Sequence, residues 1–158
     1  MIIIDTLTKP IIDKFNLARA KLKFPSITYH CDDGSNIKFY LAGQQSKYSG
    51  SIMITNGLKY GDANNKFFGY IPHHGKDAGK IVFHDSVGFT KQSEIIDIVN
   101  NPLDTLRVNG IKYSNCCFCG IELTNSASLK AGYGPICADK WGLPWGEKEE
   151  LTVLDLGL

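Results

Sequence analysis

Residues 26–42, SITYHCDDGSNIKFYLA, read as two strands rich in β-branched and aromatic residues that reverse at Asp33-Gly34. The same grammar continues downstream. YSGSIMIT, residues 48–55, ends at Asn56-Gly57, another strong turn pair. After the polar GDANN come KFFGYIP at 66–72 and GKIVFHD at 79–85, short runs of strand-forming types. Five strands with local connections predict an antiparallel meander or a small, strongly curved sheet.

Helical spacing flanks this block. Pro10 suits a first helical position, and Ile11, Phe15, Ala18 and Leu22 follow at intervals of four, three and four. Lys21 and Lys23 then fall in the last turn, and Phe24-Pro25 ends the helix. Downstream, Thr90 is the expected cap of SEIIDIVNN, whose Ile95, Ile96, Ile98 and Val99 supply an apolar side. Asn101-Pro102 breaks that pattern, and LDTLRV is expected to add only a short turn. The fold class is therefore α+β: an N-terminal helix, an antiparallel sheet of about five strands, a covering helix and a cysteine-rich C-terminal module. The expected division is an α+β domain over 1–110, the cysteine module over 111–146 and an acidic then apolar tail over 147–158, either frayed or a closing strand.

With 158 residues, 43% hydrophobic and 21% charged, the chain has the balance of an ordinary globular protein with one real core. No apolar run reaches the roughly 20 residues of a bilayer span. The start, MIIIDTLTKP, lacks the basic and long apolar regions of a signal peptide. A cytoplasmic location is expected. The net charge of +1 divides unevenly, residues 1–110 carrying 13 Lys/Arg against 10 Asp/Glu and residues 111–158 carrying 4 against 6. Neither part is the strongly basic footprint of a dedicated DNA-binding domain.

Four of the five cysteines, Cys116, Cys117, Cys119 and Cys137, lie within 22 residues, while Cys31 stands apart. In a reducing compartment clustered thiols more often hold a metal than pair as disulfides. Cys116 and Cys119 form C-x-x-C followed at once by Gly120, the turn with which a zinc knuckle presents two thiolates to one cation. Cys137 follows after 17 intervening residues, a usual separation between the halves of a structural zinc site. Pro135 is placed to start a helix that carries Cys137 in its first turn, where negative sulfur is favoured. Zn2+ with Cys116, Cys119 and Cys137 as ligands is the expected centre. The fourth position stays open between Cys117, Asp139, His30, Cys31, His73, His74, His84 and a water, because Lys140 occupies the place of a second C-x-x-C cysteine. Leu123, Trp141, Leu143 and Trp145 are expected to form the knuckle's own small core, with Thr124 and Ser128 as turn and cap residues.

The run from Cys116 to Gly146 resembles the uncharacterised domain-of-unknown-function family 6011 of phage and bacterial proteins. The resemblance rests on Cys116, Cys119, Gly120, Leu123, Thr124, Ser128, Gly132, Gly134, Pro135 and Cys137, and covers about 30 residues strongly. It implies zinc binding and a phage-type origin, and the module is expected to be a zinc knuckle of treble-clef-like form. It implies no reaction.

Catalytic signatures are missing. No H-x-E stands with P-C-x-x-C as a zinc deaminase needs, and no H-E-x-x-H, G-x-x-x-x-G-K-[ST] or G-x-S-x-G occurs. His73-His74 sits in a polar turn. The strands interleave basic and aromatic residues, and Lys38, Tyr40, Lys47, Tyr48, Lys66 and Tyr70 are the candidate contacts for nucleic acid or another partner. The leading expectation is a non-enzymatic zinc-binding protein that works by contact with a host or defence protein or a nucleic acid, without membrane or small-molecule substrate. The alternative is a metalloenzyme or redox sensor with an open three-cysteine site.

Overall fold

The computed structural model describes residues 1–146. Its elements run β1 (Ile2–Ile4), α1 (Lys9–Ala18), β2 (Ser26–His30), β3 (Asn36–Leu41), β4 (Ile52–Thr55), β5 (Phe67–Ile71), β6 (Ile81–Phe83), α2 (Phe89–Asn100), α3 (Pro102–Tyr113), α4 (Ser126–Ala131) and α5 (Pro135–Trp141). The sheet order is β1-β6-β5-β4-β3-β2, with every neighbouring pair antiparallel. The α+β class and the meander of β2 to β6 are as the sequence predicts. The sheet has a sixth strand, β1, paired to β6 through Ile2–Phe83, Ile3–Val82 and Ile4–Ile81. Three residues are too few for alternation to show, so only pairing reveals it. The expectation for residues 147–158 lies outside the described residues.

The pairing register sorts the side chains. Ile27, Phe39 and Ile54 form one cross-strand row, and all three are buried in the main apolar cluster together with Ile11, Phe15, Ile95, Ile98 and Val99 of the helices. Tyr40, Met53, Tyr70 and Val82 form a row of the opposite parity and face away from the helices. The helices therefore cover one side of the sheet only.

Three helix boundaries differ from expectation. The last turn of α1 tightens through Ala20 and Lys21 amides donating to the carbonyls of Leu17 and Ala18, so the helix ends at Ala18. Lys21 instead reaches Asp139 of α5, 3.2 Å from its carboxylate. α2 begins two residues earlier than expected: Gly88 is the cap, its carbonyl accepting from Gln92, and Thr90 lies inside the first turn. Pro102 starts a full 12-residue helix where a short turn was expected. Its inward residues include Arg107, Asn109 and Gly110, which carry no apolar signal, so periodicity underrates the segment. Asn109 explains part of the burial. Its side-chain amide donates to the His30 carbonyl at 2.7 Å and accepts from the His30 amide at 2.9 Å, closing the outer edge of β2 as another strand would.

Candidate metal centre

α3 delivers the chain to the cysteines through Ser114, whose left-handed φ of 56° ends the helix. A miniature hairpin follows. Leu123 donates to the Ser114 carbonyl and Cys116 to that of Ile121, both at 2.8 Å, and Asn115 bridges Glu122. The Gly120 amide returns to the Cys116 carbonyl at 2.9 Å with φ of 78°, a conformation glycine adopts without strain. Two thiols thus leave one tight turn on the same side. The third arrives from α5, where Gly134 is the cap, Pro135 occupies the first turn and Cys137 follows.

The sulfurs of Cys116, Cys119 and Cys137 all lie within 4.8 Å of one another. Sulfurs around one tetrahedral zinc stand about 3.8 Å apart, as a metal–sulfur distance of about 2.3 Å requires. The trio is therefore within about an ångström of a closed coordination triangle before any side chain turns. Cys116 is buried, Cys137 half-buried and Cys119 exposed, so the centre sits at the surface.

Electrostatics favour one thiolate in advance of the metal. Cys116 is lowered to about 5, first by a hydrogen bond from the Cys137 thiol and then, against the opposing effect of burial, by backbone hydrogen bonds from Cys119, Gly134 and Phe118. Cys137 moves the other way because it gives its hydrogen to Cys116, and burial adds to the shift. Burial also raises Cys119, helped by the negative charge of Cys116. A cation held here would replace two shared protons and meet a ready anion.

Cys117 does not join the trio among the described residues. It points into the main core, where burial pushes its thiol well above the usual range, and its amide donates to the Gly132 carbonyl at 2.9 Å. Adjacent residues on this turn face opposite ways, which takes Cys117 from the metal to the packing. Nor do Asp139, His30, Cys31, His73, His74 or His84 complete the group among the described residues. Asp139 binds Lys21, and Cys31 lies in the sheet core beside Lys91 and Glu94. Beside the three sulfurs opens a cleft of about 270 Å³ lined also by Ile121, Glu122 and Ile136.

What holds the knuckle from behind was not legible in its motif. A Cβ on Gly110 of α3 would stand 2.4 Å from the Gly132 carbonyl oxygen, so the two backbones touch where any side chain would part them. Arg107, 2% exposed, donates from Nε to the Ala131 carbonyl at 2.8 Å and so caps the end of α4. A mid-helix arginine, a residue type that usually faces solvent, offered no signal for this. Ser128, expected as a turn or cap residue, is buried inside α4 and accepts a hydrogen bond from the Trp145 indole at 3.2 Å; the cap is Asn125, which accepts from the Ala127 amide.

The aromatic packing also departs from a separate small core. Phe118 stacks on Trp141 with centroids 4.7 Å apart, and Trp141 meets Phe15 of α1 edge-on at 5.3 Å. Leu123 and Trp141 belong to the same buried cluster as the sheet, with Leu143 and Trp145 packed against it.

Five of the six residues expected as partner contacts, all but Lys66, gather on the open side of the sheet. Lys38, Tyr40, Lys47 and Tyr48 line one groove; Tyr70 packs on Tyr48 with centroids 4.9 Å apart, and Lys66 lines the neighbouring groove. None of the helices formed by the described residues is long and apolar enough to cross a membrane.

Neither the curated proteins nor the solved structures yield a match to this chain. Residues 112–142, the end of α3 through the last residue of α5 and Gly142, match the model of a family of unknown function, DUF6011, and it is this segment that gathers the three cysteines.

Proposed function

We propose that this is a non-enzymatic, phage-type zinc protein that acts in the cytoplasm by contact with a macromolecule, a host or defence protein or a nucleic acid. The observation that supports it is the cysteine trio, which joins a turn after α3 to the first turn of α5. An all-thiolate set is soft and selects zinc over magnesium or calcium. The metal would fasten two helices of six and seven residues that are too short to persist alone. Elemental analysis of protein purified without chelator is expected to give one zinc per chain. Cys137→Ser is expected to lose that metal and melt lower; full zinc content with unchanged melting in this variant would remove the fastening role.

The cleft beside the sulfurs favours a second reading. No fourth Cys, His, Asp or Glu completes the group among the described residues, and Glu122 lines the opening. A zinc held by three residues and a water is the arrangement of catalytic sites, and exposed thiolates on zinc also suit redox sensing. Cobalt substitution separates the two. A visible spectrum that changes on adding cyanide marks an exchangeable fourth position, and an unresponsive tetrahedral spectrum marks a closed one.

A further inference from the structure

We propose that the side of the sheet left bare by the helices binds single-stranded nucleic acid, with bases stacking on its tyrosines and phosphates meeting its lysines. This deepens the macromolecular-contact reading and rests on it.

The face is built by register. Lys38 pairs with Thr55 across β3 and β4, and Tyr40 pairs with Met53, which in turn pairs with Tyr70 of β5. All five therefore project to the same side. Lys47 and Tyr48 come over this surface from the β3–β4 connection. Tyr48 lies against Tyr70, and the ring of Phe67 stacks beside Tyr70 at 6.4 Å with 29° between planes. Met53, 7% exposed, is sealed from solvent here without belonging to the main core, so the rings form a supported floor.

The charge on this floor has one sign. The groove of about 680 Å³ is lined by Lys38, Lys47 and Lys59 and by no Asp or Glu. None of these three lysines, nor Lys66, has an ion-pair partner among the described residues. Lys38 and Lys47 instead lie over the rings of Tyr40 and Tyr48 at 5.8 and 5.1 Å. A second groove of about 580 Å³ shares Asn65 and Phe67 with the first and adds Lys66 and His84; the Lys91 on its α2 side is paired to Glu94 and adds no free charge. The result is one extended trough, aromatic at the base and cationic at the walls.

Unpaired nucleic acid fits these features together. Rings at the base of a trough can stack only on base faces that are not already stacked within a duplex, and lysines spaced along it suit a repeating anion. An acidic polypeptide would meet the lysines and leave the rings without stacking partners. Duplex would meet the lysines through its backbone with its base faces closed. Charge complementarity with the exposed rings selects the single strand.

The test uses the full zinc-loaded chain and fluorescein-labelled oligothymidine of about 12 nucleotides, within the range such sites cover. Fluorescence anisotropy is expected to show binding that weakens with salt, and Lys38→Ala and Lys47→Ala are each expected to shorten the logarithmic salt slope by about 0.7. Tyr60 lines the groove and is 100% exposed, so Tyr60→Ala leaves the fold intact. Its affinity is expected to fall at least about fivefold, the lower end of the loss for one stacked base. No binding at about 50 mM salt overturns the proposal. Equal affinity for duplex, or equal competition by polyglutamate, with Tyr60→Ala silent, also overturns it and points to a general cation surface or a protein partner. Zinc is counted in the same samples. Protein that binds the oligonucleotide yet carries no zinc as purified without chelator sinks the zinc reading alone, and zinc-loaded protein that ignores the oligonucleotide sinks this one alone.

Discussion

The sheet region and the cysteine knuckle solve the same problem with different means. In the sheet, β2 to β6 repeat one device: each sends side chains from one face into a common core, and Ile27, Ile37, Phe39, Ile54 and Phe83 are all at most 1% exposed. No single residue is indispensable to such a ladder. The knuckle has two short helices and a hairpin of a few rungs, and it depends on a few unlike contacts: three sulfurs, the Phe118–Trp141 stack, and the arginine that caps α4. Trp141 also lies against Phe15, so the two regions share one wall. The contrast teaches that a segment with little regular structure concentrates its stability in few residues, each of which then matters more.

Metal removal should sharpen this contrast most. Binding of zinc to small zinc domains is worth on the order of 10 kcal/mol. Adding a strong chelator is expected to abolish protection of knuckle amides in hydrogen exchange while β3 to β5 stay protected; uniform loss across both would show one cooperative unit. Acid should do the same gradually. Cys119 and Cys137 are raised, so at neutral pH protons hold those sulfurs and the metal must displace them. As pH falls protons compete better, and below about 5, where Cys116 is also protonated, retention should be lost. Release is read with a chromogenic zinc dye; retention at pH 4 would contradict a thiolate site.

Trp141→Ala tests the shared wall. Removing this buried indole is expected to cost about 3–5 kcal/mol and to lower the melting of sheet and knuckle together. A loss confined to the knuckle would mean that the contact with Phe15 transmits little. Ser128→Ala is a smaller test, removing the acceptor of the Trp145 indole for about 1 kcal/mol by denaturant titration. The smallest effect is expected at Asp32. Its carboxyl is held below the usual range by hydrogen bonds from Lys112 and Tyr113, yet the group is fully exposed. Asp32→Asn should leave the melting curve unchanged, because water screens such pairs.

Much of this was legible beforehand, and the omissions have a common cause. β2 to β6 were readable because turn residues such as Asp33-Gly34 and Asn56-Gly57 bracket β-rich runs. The trio was readable because a metal imposes spacing: a C-x-x-C-G turn and a distant G-P-x-C supply sulfurs that serve little else so well. β1 escaped because three isoleucines show no period. The length of α3 escaped because its inward face is made by Arg107, Asn109 and Gly110, whose partners are carbonyls and an amide far along the chain.

The sequence by itself determined the α+β class, the order of the central strands and three sulfurs that could hold a metal, since local turns, strand propensity and ligand spacing are properties of neighbouring residues. Tertiary structure alone decided that Cys117 turns into the core, that the knuckle shares Trp141 with the sheet, and that Lys38, Tyr40, Lys47, Tyr48 and Tyr70 gather on one face. Those outcomes depend on which distant backbones touch, and a one-residue change of register would reverse every side chain on the face.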